Sequence, residues 1–430
     1  MTGVMLQCHV VIFMENTRSR VYDVVVAGGG AAGLVASIFA ARRGADVLLI
    51  EYNDVLGKKI LATGNGKCNY TNRNLELAYY FGAEPSFLEQ VFVTFSEKDT
   101  EQFFLELGIE PSEKDGLLYP RSYQAKSVQM ALIREVKRLS ITTVFKQQAK
   151  RIEKMDKGFC VTTADKRTYQ AKNVILACGG KASAISGSRG DGYYLASCLG
   201  HTIVAQVPAL VQLHCQDALM EQANGVRCDA GISTWIAGER VAYWQGELQI
   251  TDYGISGIVV FQASRQAAYA CAEGKEVYCE IDFLPEYQDD EAIKMLQRRL
   301  CCYGKEKTLA QALEGLLQDK LILPILKRAH LQVDSDAAQC TKDMIQMLLE
   351  TLRHYKIKVT DTHGFKHAQV TAGGIDTKQI SPTTMESLLV PGLFFAGEIV
   401  DVDGICGGYN LQWAWSSGAI AGMHSKRNIT

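Results

Sequence analysis

The sequence of 430 residues lacks the features that define several classes of protein. It has no long apolar run: the stretch at 10–14 is far shorter than the ~18 residues that a membrane-spanning helix requires. It has no excess of one charge, since 45 Lys and Arg accompany 47 Asp and Glu and the net charge is −2. We therefore expect no membrane association and no basic face for nucleic acid.

The cysteines lack the spacing of a metal or redox site. The 13 cysteines form no Cys-x-x-Cys pair, and Cys301 and Cys302 are adjacent, which suits neither structural zinc nor a dithiol centre. Their odd number, the length of the chain and the missing secretory pattern predict reduced thiols in a cytoplasmic protein that binds no metal.

The first recognisable unit follows an N-terminal extension at 1–20 and has the pattern strand, helix, strand. Val21–Ala27 is nearly continuously apolar, as in a strand buried on both faces of a parallel sheet. Residues 31–43 are alanine-rich and end at Gly44, and 45–50 is a second apolar run. Further predicted elements are a helix at 126–139 with Ser127 as N-cap, strands at 141–145, 159–163, 174–177 and 393–396, helices at 254–272 and 341–352, and a mostly helical stretch at 289–333.

The connection between the first strand and the first helix carries the glycine pattern G-x-G-x-x-G at Gly28, Gly30 and Gly33. Gly28 permits a tight turn, Gly30 admits a pyrophosphate to the helix N-terminus beside Ala31 and Ala32, and Gly33 allows close helix packing. Glu51, at the end of the next strand, is expected to accept hydrogen bonds from ribose hydroxyls. The motif predicts a dinucleotide site but does not separate NAD from FAD.

Two later segments are also rich in glycine. The loop at 57–72 combines lysines with glycines, which predicts main chain lying against a flat ring and cations near phosphates; a solvated surface loop is the alternative. The segment at 397–412 follows an apolar strand, so that Glu398 or Asp403 would bind ribityl hydroxyls and the next helix would direct its N-terminus at a flavin.

Together the three segments resemble the YhiN/BaiN-like family of NAD(P)/FAD-dependent oxidoreductases. The resemblance covers most of the chain and includes 178–181, 187–193, 251–257 and 368–375. Lys67 stands where family members typically have arginine, so a forked guanidinium contact is not expected there. The resemblance implies an α/β protein with a Rossmann-like FAD-binding domain of the two-dinucleotide type, built from both chain ends. It implies these bounds: FAD domain 21–195 and 365–426, β-rich domain 196–260 and 334–364, helical subdomain 261–333.

The cofactor-binding residues predicted from the motifs and the resemblance fall into four groups. They are Gly28, Gly30, Ala31, Ala32, Gly33 and Glu51; Lys58, Lys59, Thr63, Gly64, Asn65, Gly66, Lys67, Cys68 and Asn69; Ala177 and Gly179; and Gly397, Glu398, Asp403, Gly408, Tyr409, Asn410 and Leu411.

No catalytic residue is identified from the sequence. His363 and His367 have the i, i+4 spacing of helical metal ligands, but Gly364 disfavours a helix there, which favours a structural role. Cys68 is expected to be a buried apolar thiol rather than a nucleophile. Tyr253 and Tyr409 are candidates for proton donation, with aromatic packing as the alternative.

The function expected from these residues and the resemblance is transfer of two electrons from NAD(P)H through FAD to a small organic acceptor. The family resemblance suggests two substrates, a conjugated C=C bond of a steroid-like acid or a small amine, and the sequence does not choose between them. Only one glycine turn follows a strand, so NAD(P)H is expected to bind transiently in the flavin cleft. A flavin-dependent amine oxidase and a flavin-binding sensor without turnover are the alternatives, and the oligomeric state is not indicated.

Overall fold

The computed structural model describes residues 20–183 and 187–426, and its strands build one large sheet, one closed barrel and several small sheets. The N-terminal extension predicted at 1–20 lies outside the described residues except for its last residue. The strands are β1 Val21–Ala27, β2 Val47–Ile50, β3 Thr71–Asn72, β4 Tyr80–Phe81, β5 Pro111–Lys114, β6 Leu117–Pro120, β7 Thr142–Val144, β8 Ala149–Met155, β9 Gly158–Thr163, β10 Thr168–Leu176, β11 Val207–Ala209, β12 Leu213–Gln216, β13 Arg227–Ile236, β14 Glu239–Thr251, β15 Gly254–Ser256, β16 Val277–Asp282, β17 Tyr355–Thr362, β18 Val370–Ala372, β19 Leu393–Phe395 and β20 Asp403–Gly404.

The helices lie between these strands and at the C-terminal side of the described chain. They are α1 Ala31–Arg42, α2 Pro85–Thr94, α3 Glu97–Glu106, α4 Ala125–Arg138, α5 Asp191–Cys198, α6 Ala218–Gln222, α7 Ile258–Ala272, α8 Asp289–Gln297, α9 Leu309–Leu313, α10 Asp319–Arg328, α11 Lys342–Arg353 and α12 Tyr409–His424. Among the described residues, no helix combines the length and the apolar character needed to cross a membrane.

The large sheet has the order β7-β2-β1-β10-β9-β8, with β19 beside β10. Strands β7, β2, β1, β10 and β19 are parallel, while β8 and β9 form an antiparallel extension. The apolar runs of β1 and β2 are almost wholly buried, as expected for central parallel strands. The α/β, Rossmann-type fold predicted from the sequence is confirmed.

Helices α1 and α12 pack closely against each other although they come from opposite ends of the chain. A Cβ atom at Gly418 would lie 2.5 Å from the carbonyl oxygen of Ala32, and one at Gly422 would lie 2.3 Å from that of Ala36. Only glycine allows this approach of two helix backbones. The contact places the segment before α12 beside the glycine turn before α1.

The closed barrel has the order β12-β15-β14-β13-β16-β17, and α7 packs against β13, β14 and β17. Helices α8, α10 and α11 contribute leucine and isoleucine side chains to the same core. The boundaries expected at 261–333 do not match this arrangement, because that range holds the barrel strand β16 and most of α7. In β16 the apolar Val277, Cys279 and Ile281 alternate with Tyr278, Glu280 and Asp282. This period of two is typical of a strand, and the boundaries expected from the resemblance did not take it into account.

Most predicted elements are confirmed with shifts of a few residues at their ends. The prediction that Ser127 is the N-cap of α4 is wrong. The helix begins at Ala125, and its N-cap is Gln124. The Ser127 hydroxyl instead forms a hydrogen bond of 2.9 Å with the hydroxyl of Ser122. Ala125 is buried and already belongs to the apolar face, so the helix extends further toward its N-terminus than the serine indicated.

Candidate cofactor-binding cleft

A cleft of about 900 Å³ lies at the carboxyl ends of β1, β2 and β10, between the large sheet and the barrel side of the molecule. This is where parallel α/β sheets bind ligands. The cleft is lined by most of the predicted residues: Gly28, Gly30, Ala31, Ala32, Glu51, Lys58, Lys59, Thr63, Gly64, Asn65, Lys67, Asn69, Ala177, Gly179, Gly397, Glu398, Gly408, Asn410 and Leu411.

The glycine turn between β1 and α1 forms one wall of the cleft. Gly28 has a φ of +107°, and a Cβ atom there would lie 2.4 Å from the carbonyl oxygen of Ala177. A Cβ at Gly33 would lie 1.8 Å from the carbonyl oxygen of Gly28, so Gly33 does not line the cleft but allows α1 to approach the turn. Around a Cβ at Gly30, by contrast, no heavy atom of the described residues lies within 4 Å.

This open space at Gly30 lies at the N-terminus of α1, where backbone N–H groups and the helix dipole favour an anion. Gly30 is the N-cap of the helix and has extended backbone. Its missing side chain leaves room that a Cβ atom would fill. The residues present therefore fit the pyrophosphate of a dinucleotide.

The Glu51 carboxylate shapes the adjoining part of the cleft. One oxygen accepts a hydrogen bond of 2.7 Å from the Gly29 N–H, and the other accepts one of 2.6 Å from the Asn53 N–H. Glu51 is nearly buried yet lines the cleft. These bonds fix the carboxylate in the lining of the cleft.

The lysine-rich loop reaches across the cleft to the C-terminal segment. Lys59 Nζ lies 2.6 Å from one carboxylate oxygen of Glu398, and the other oxygen accepts a hydrogen bond of 2.9 Å from the Thr371 N–H. Within the loop, Gly64 and Asn65 both have left-handed backbone, with φ of 54° and 53°. Gly64 and Asn65 line the cleft and are also exposed, so the loop forms the rim of the cleft.

The segment before α12 forms a further part of the cleft wall. Gly408, the N-cap of α12, has a φ of +92°, and a Cβ atom there would lie 2.8 Å from the backbone of Thr71. The Asn410 side chain accepts a hydrogen bond of 2.9 Å from the Gly404 N–H and donates one of 2.6 Å to the Gly404 carbonyl. Gly408, Asn410 and Leu411 line the cleft, so the N-terminus of a long helix faces it in addition to that of α1.

Five predicted residues do not line the cleft: Gly33, Gly66, Cys68, Asp403 and Tyr409. Burial raises the pKa of the Cys68 thiol to about 12. The Tyr409 hydroxyl donates a hydrogen bond of 2.8 Å to the Asn74 carbonyl, and its ring packs edge-on against Tyr80. The structure therefore places Tyr409 in aromatic packing, and Asp403 pairs with Arg265.

Other cleft residues were not predicted. Gln147, Gln148 and Ala149 follow β7 at the same edge of the sheet as Glu51. On the barrel side, the cleft is lined by apolar and ring side chains, namely Leu210, Ile258, Phe261, Cys406 and His367. Apart from the spacing of His363 and His367 and the glycine-rich segment that contains Cys406, no local pattern marks these residues, because separate elements bring them together.

Comparison with known proteins gives consistent matches over nearly the whole chain. A family model described as the HI0933-like protein Rossmann domain matches residues 22–424. The chain is 42% identical over 401 residues to a 3-dehydro-bile acid delta(4,6)-reductase of Clostridium scindens, covering 92% of this chain and 97% of that protein. It is 30% identical over 405 residues to a ribosomal RNA dihydrouridine synthase of Haemophilus influenzae, covering 93% and 97%.

Among solved structures, a 3-ketosteroid-delta4-(5alpha)-dehydrogenase of Rhodococcus jostii in complex with 4-androstene-3,17-dione has a similar fold. The TM-score is 0.51 at 16% identity, and the alignment covers 96% of this chain and 99% of that one. At this identity the likeness concerns the fold alone.

Proposed function

Because the chain belongs to the HI0933-like protein Rossmann domain family, we propose that it is an FAD-dependent oxidoreductase that reduces a conjugated C=C bond of a steroid-like enone. The family prediction made from the glycine-rich segments is confirmed by the match over 22–424. NAD(P)H is the electron donor in this proposal, and residues 21–195 and 365–426 are assigned to FAD binding.

The observation that carries the proposal is the composition of the two sides of the cleft. One side has the glycine turn, the Glu51 carboxylate and two helix N-termini, which suit a dinucleotide. The other side has Leu210, Ile258 and Phe261, which suit a flat apolar substrate. A relative that is 42% identical is named for a bile acid reductase, which supports a steroid-like acid as the substrate class.

The roles of the residues follow from their positions around the cleft. Gly28, Gly30 and the N-terminus of α1 would bind the pyrophosphate, and Glu51 the adenosine ribose. The segment at Gly408 and Asn410 would hold the flavin ring. When bound, FAD supplies hydride chemistry.

The protein's own contribution is orientation and exclusion of water. Lys59 and Glu398 hold the loop and the C-terminal segment together across the cleft, so the two walls that would grip the cofactor keep a fixed separation. Leu210, Ile258 and Phe261 would keep water from the face where substrate binds, which strengthens charge interactions there. NAD(P)H would use this same face before substrate does, since no second glycine turn follows a strand.

A different substrate is suggested by the relative named as a ribosomal RNA dihydrouridine synthase, at 30% identity. That name also describes reduction of a C=C bond conjugated to a carbonyl. The expectation of no nucleic acid partner stays a prediction, supported by the net charge of −2.

The test is anaerobic stopped-flow spectroscopy of the purified protein loaded with FAD. NADH or NADPH should bleach the flavin, and a 3-oxo-4-ene steroid acid should restore its colour while giving the saturated product. If unmodified ribosomal RNA reoxidised the flavin and the steroid acid did not, the substrate would be ribosomal RNA and not a steroid-like enone. Bleaching by amines, with reoxidation by oxygen alone, would establish a flavin-dependent amine oxidase. If no donor bleached the flavin, the protein would be a flavin-binding sensor without turnover.

A further inference from the structure

Three histidines and a tyrosine meet where the barrel borders the cleft. His214 lies on β12, Tyr253 lies in the turn before β15, and His363 directly follows β17. Strand β12 pairs with both β15 and β17, so the barrel itself brings the three side chains together. We call His214, Tyr253, His363 and His367 the histidine cluster.

His363 is held at the centre of the cluster. Its ring stacks on Tyr253 with centroids 4.4 Å apart and planes 14° apart. Its Nδ1 lies 2.7 Å from Nε2 of His214, a hydrogen-bond distance. A stacking contact and a ring-to-ring hydrogen bond together fix both the plane and the rotation of the His363 imidazole.

His367 lies between this fixed ring and the cleft. The chain turns at Gly364, where φ is +78°, and the His367 N–H donates a 3.1 Å hydrogen bond to the Gly364 carbonyl. The turn places the His363 and His367 rings 4.1 Å apart. The His367 side chain is exposed and lines the cleft beside Lys366. The i, i+4 spacing thus serves a ring contact, and no group of three metal-binding side chains occurs among the described residues.

The electrostatics of the cluster favour a neutral ring at its centre. Burial lowers the pKa of His363, and the neighbouring His367, His214 and Lys366 lower it further. A neutral imidazole carries one N–H and one acceptor nitrogen. His363 therefore presents a fixed, uncharged surface to His367 at neutral pH.

Reduction of a conjugated C=C bond needs a proton as well as a hydride. The apolar residues that line the barrel side of the cleft, Leu210, Ile258 and Phe261, carry no proton to donate. Histidine is the side chain whose ordinary pKa lies nearest to neutral, which suits a general acid. His367 lines the same cleft, and its segment joins this surface, since the Gln369 N–H donates a hydrogen bond of 3.2 Å to the Leu210 carbonyl.

Resting on the function proposed above, we propose that His367 is the catalytic proton donor and that His363, held by His214 and Tyr253, is its positioning residue. Hydride adds to one carbon of the C=C bond, and the π electrons form a bond from the adjacent carbon to the proton of the His367 imidazolium. The N–H bond breaks, its electron pair stays on the ring, and neutral His367 regains a proton from solvent. The substrate gains two electrons from the hydride and one proton from the histidine.

The experiment compares two half-reactions in the FAD-loaded protein. In His367→Asn, bleaching of the flavin by NAD(P)H should stay within about twofold of wild type, while reduction of the steroid enone should fall about 100-fold or more. The loss of rate at high pH that marks a general acid should be absent from the pH–rate profile of this variant. The matched control is His330→Asn, an exposed histidine outside the cleft with a φ of +57°, which asparagine tolerates; it should behave as wild type.

His363→Phe tests the positioning role, because phenylalanine keeps the stack on Tyr253 and removes the ring nitrogens. In isotope-labelled histidine NMR spectra, this variant should move the titration midpoint of His367, and the midpoint of the pH–rate profile should move with it. A purely structural role would leave both midpoints in place. If wild type reduces the enone and His367→Asn does so within about threefold, the proposal is wrong and the proposed function stands. If wild type is bleached by NAD(P)H but reduces no enone, both are wrong.

Discussion

The Nε of Arg265 donates hydrogen bonds to both carboxylate oxygens of Asp403, at 3.0 and 2.9 Å. Arg265 lies on α7, which packs against the barrel, and Asp403 lies on β20 in the segment before α12. The Asp403 side chain is 3% exposed. Burial raises its pKa to about 6, although Arg265 acts in the opposite direction. The pair joins α7 to the segment before α12.

The raised pKa of Asp403 predicts a pH dependence of stability. The unfolded side chain titrates near pH ~3.9, so between about pH 4 and pH 6 the native state binds the additional proton. The contribution of this group to the free energy of unfolding is therefore greatest below about pH 4. It is lost as the pH rises through 6, a change on the order of 3 kcal/mol. Thermal unfolding of wild type and Asp403→Asn should therefore show wild type losing stability relative to the variant as the pH rises through this range. A difference that does not vary with pH would contradict the prediction.

Gly30→Ala should weaken FAD binding without unfolding the protein. The position has extended backbone and free space, so we expect the free energy of unfolding without cofactor to change by less than about 0.5 kcal/mol. The new methyl group occupies the place assigned to the pyrophosphate, and the dissociation constant should rise at least ~10-fold. Fluorescence titration with FAD measures it.

Gly33→Ala is the matched control, since its Cβ would meet the Gly28 carbonyl oxygen at 1.8 Å. It should destabilise the protein by about 1–3 kcal/mol or more. Equal effects of the two substitutions on stability would show that the Gly30 position is structural.

Glu51→Ala should lower the affinity for FAD by a factor of about 10 to 100, because it removes the acceptor of the Gly29 and Asn53 N–H groups as well as the ribose contact. Equilibrium dialysis with FAD measures the loss. Asp54→Ala is the control, since Asp54 is an exposed acid on the same loop outside the cleft lining. If both variants bind FAD equally well, Glu51 has no role in the site.

Cys68 should resist thiol reagents in the native protein. It is fully buried, and its pKa is raised to about 12 by that burial, so little thiolate is present and no reagent reaches it. Brief treatment with iodoacetamide should modify the exposed Cys198 and Cys302, as mapped by mass spectrometry. Rapid modification of Cys68 before Cys302 would contradict its placement.

Local patterns located the parts of the structure that depend on local backbone geometry. The run Val21–Ala27 matches the first strand residue for residue, and Gly28, Gly30 and Gly33 have the conformations and contacts inferred for a phosphate-binding turn. Local patterns failed where burial decided the outcome. Asp403 and Tyr409 lie in a glycine-rich segment typical of a cofactor site, yet their side chains pair with Arg265 and Asn74 away from the cleft.

The amino-acid sequence alone determined the Rossmann-type fold, the family and the position of the glycine turn, because strand burial and glycine spacing are encoded within short stretches of chain. The tertiary structure alone decided which side chains face the cleft and which histidine meets it. His214, Tyr253 and His363 come from separate strands or turns, and only closure of the barrel brings their rings into contact. Contacts of this kind depend on strand pairing over long separations, which local residue patterns do not specify.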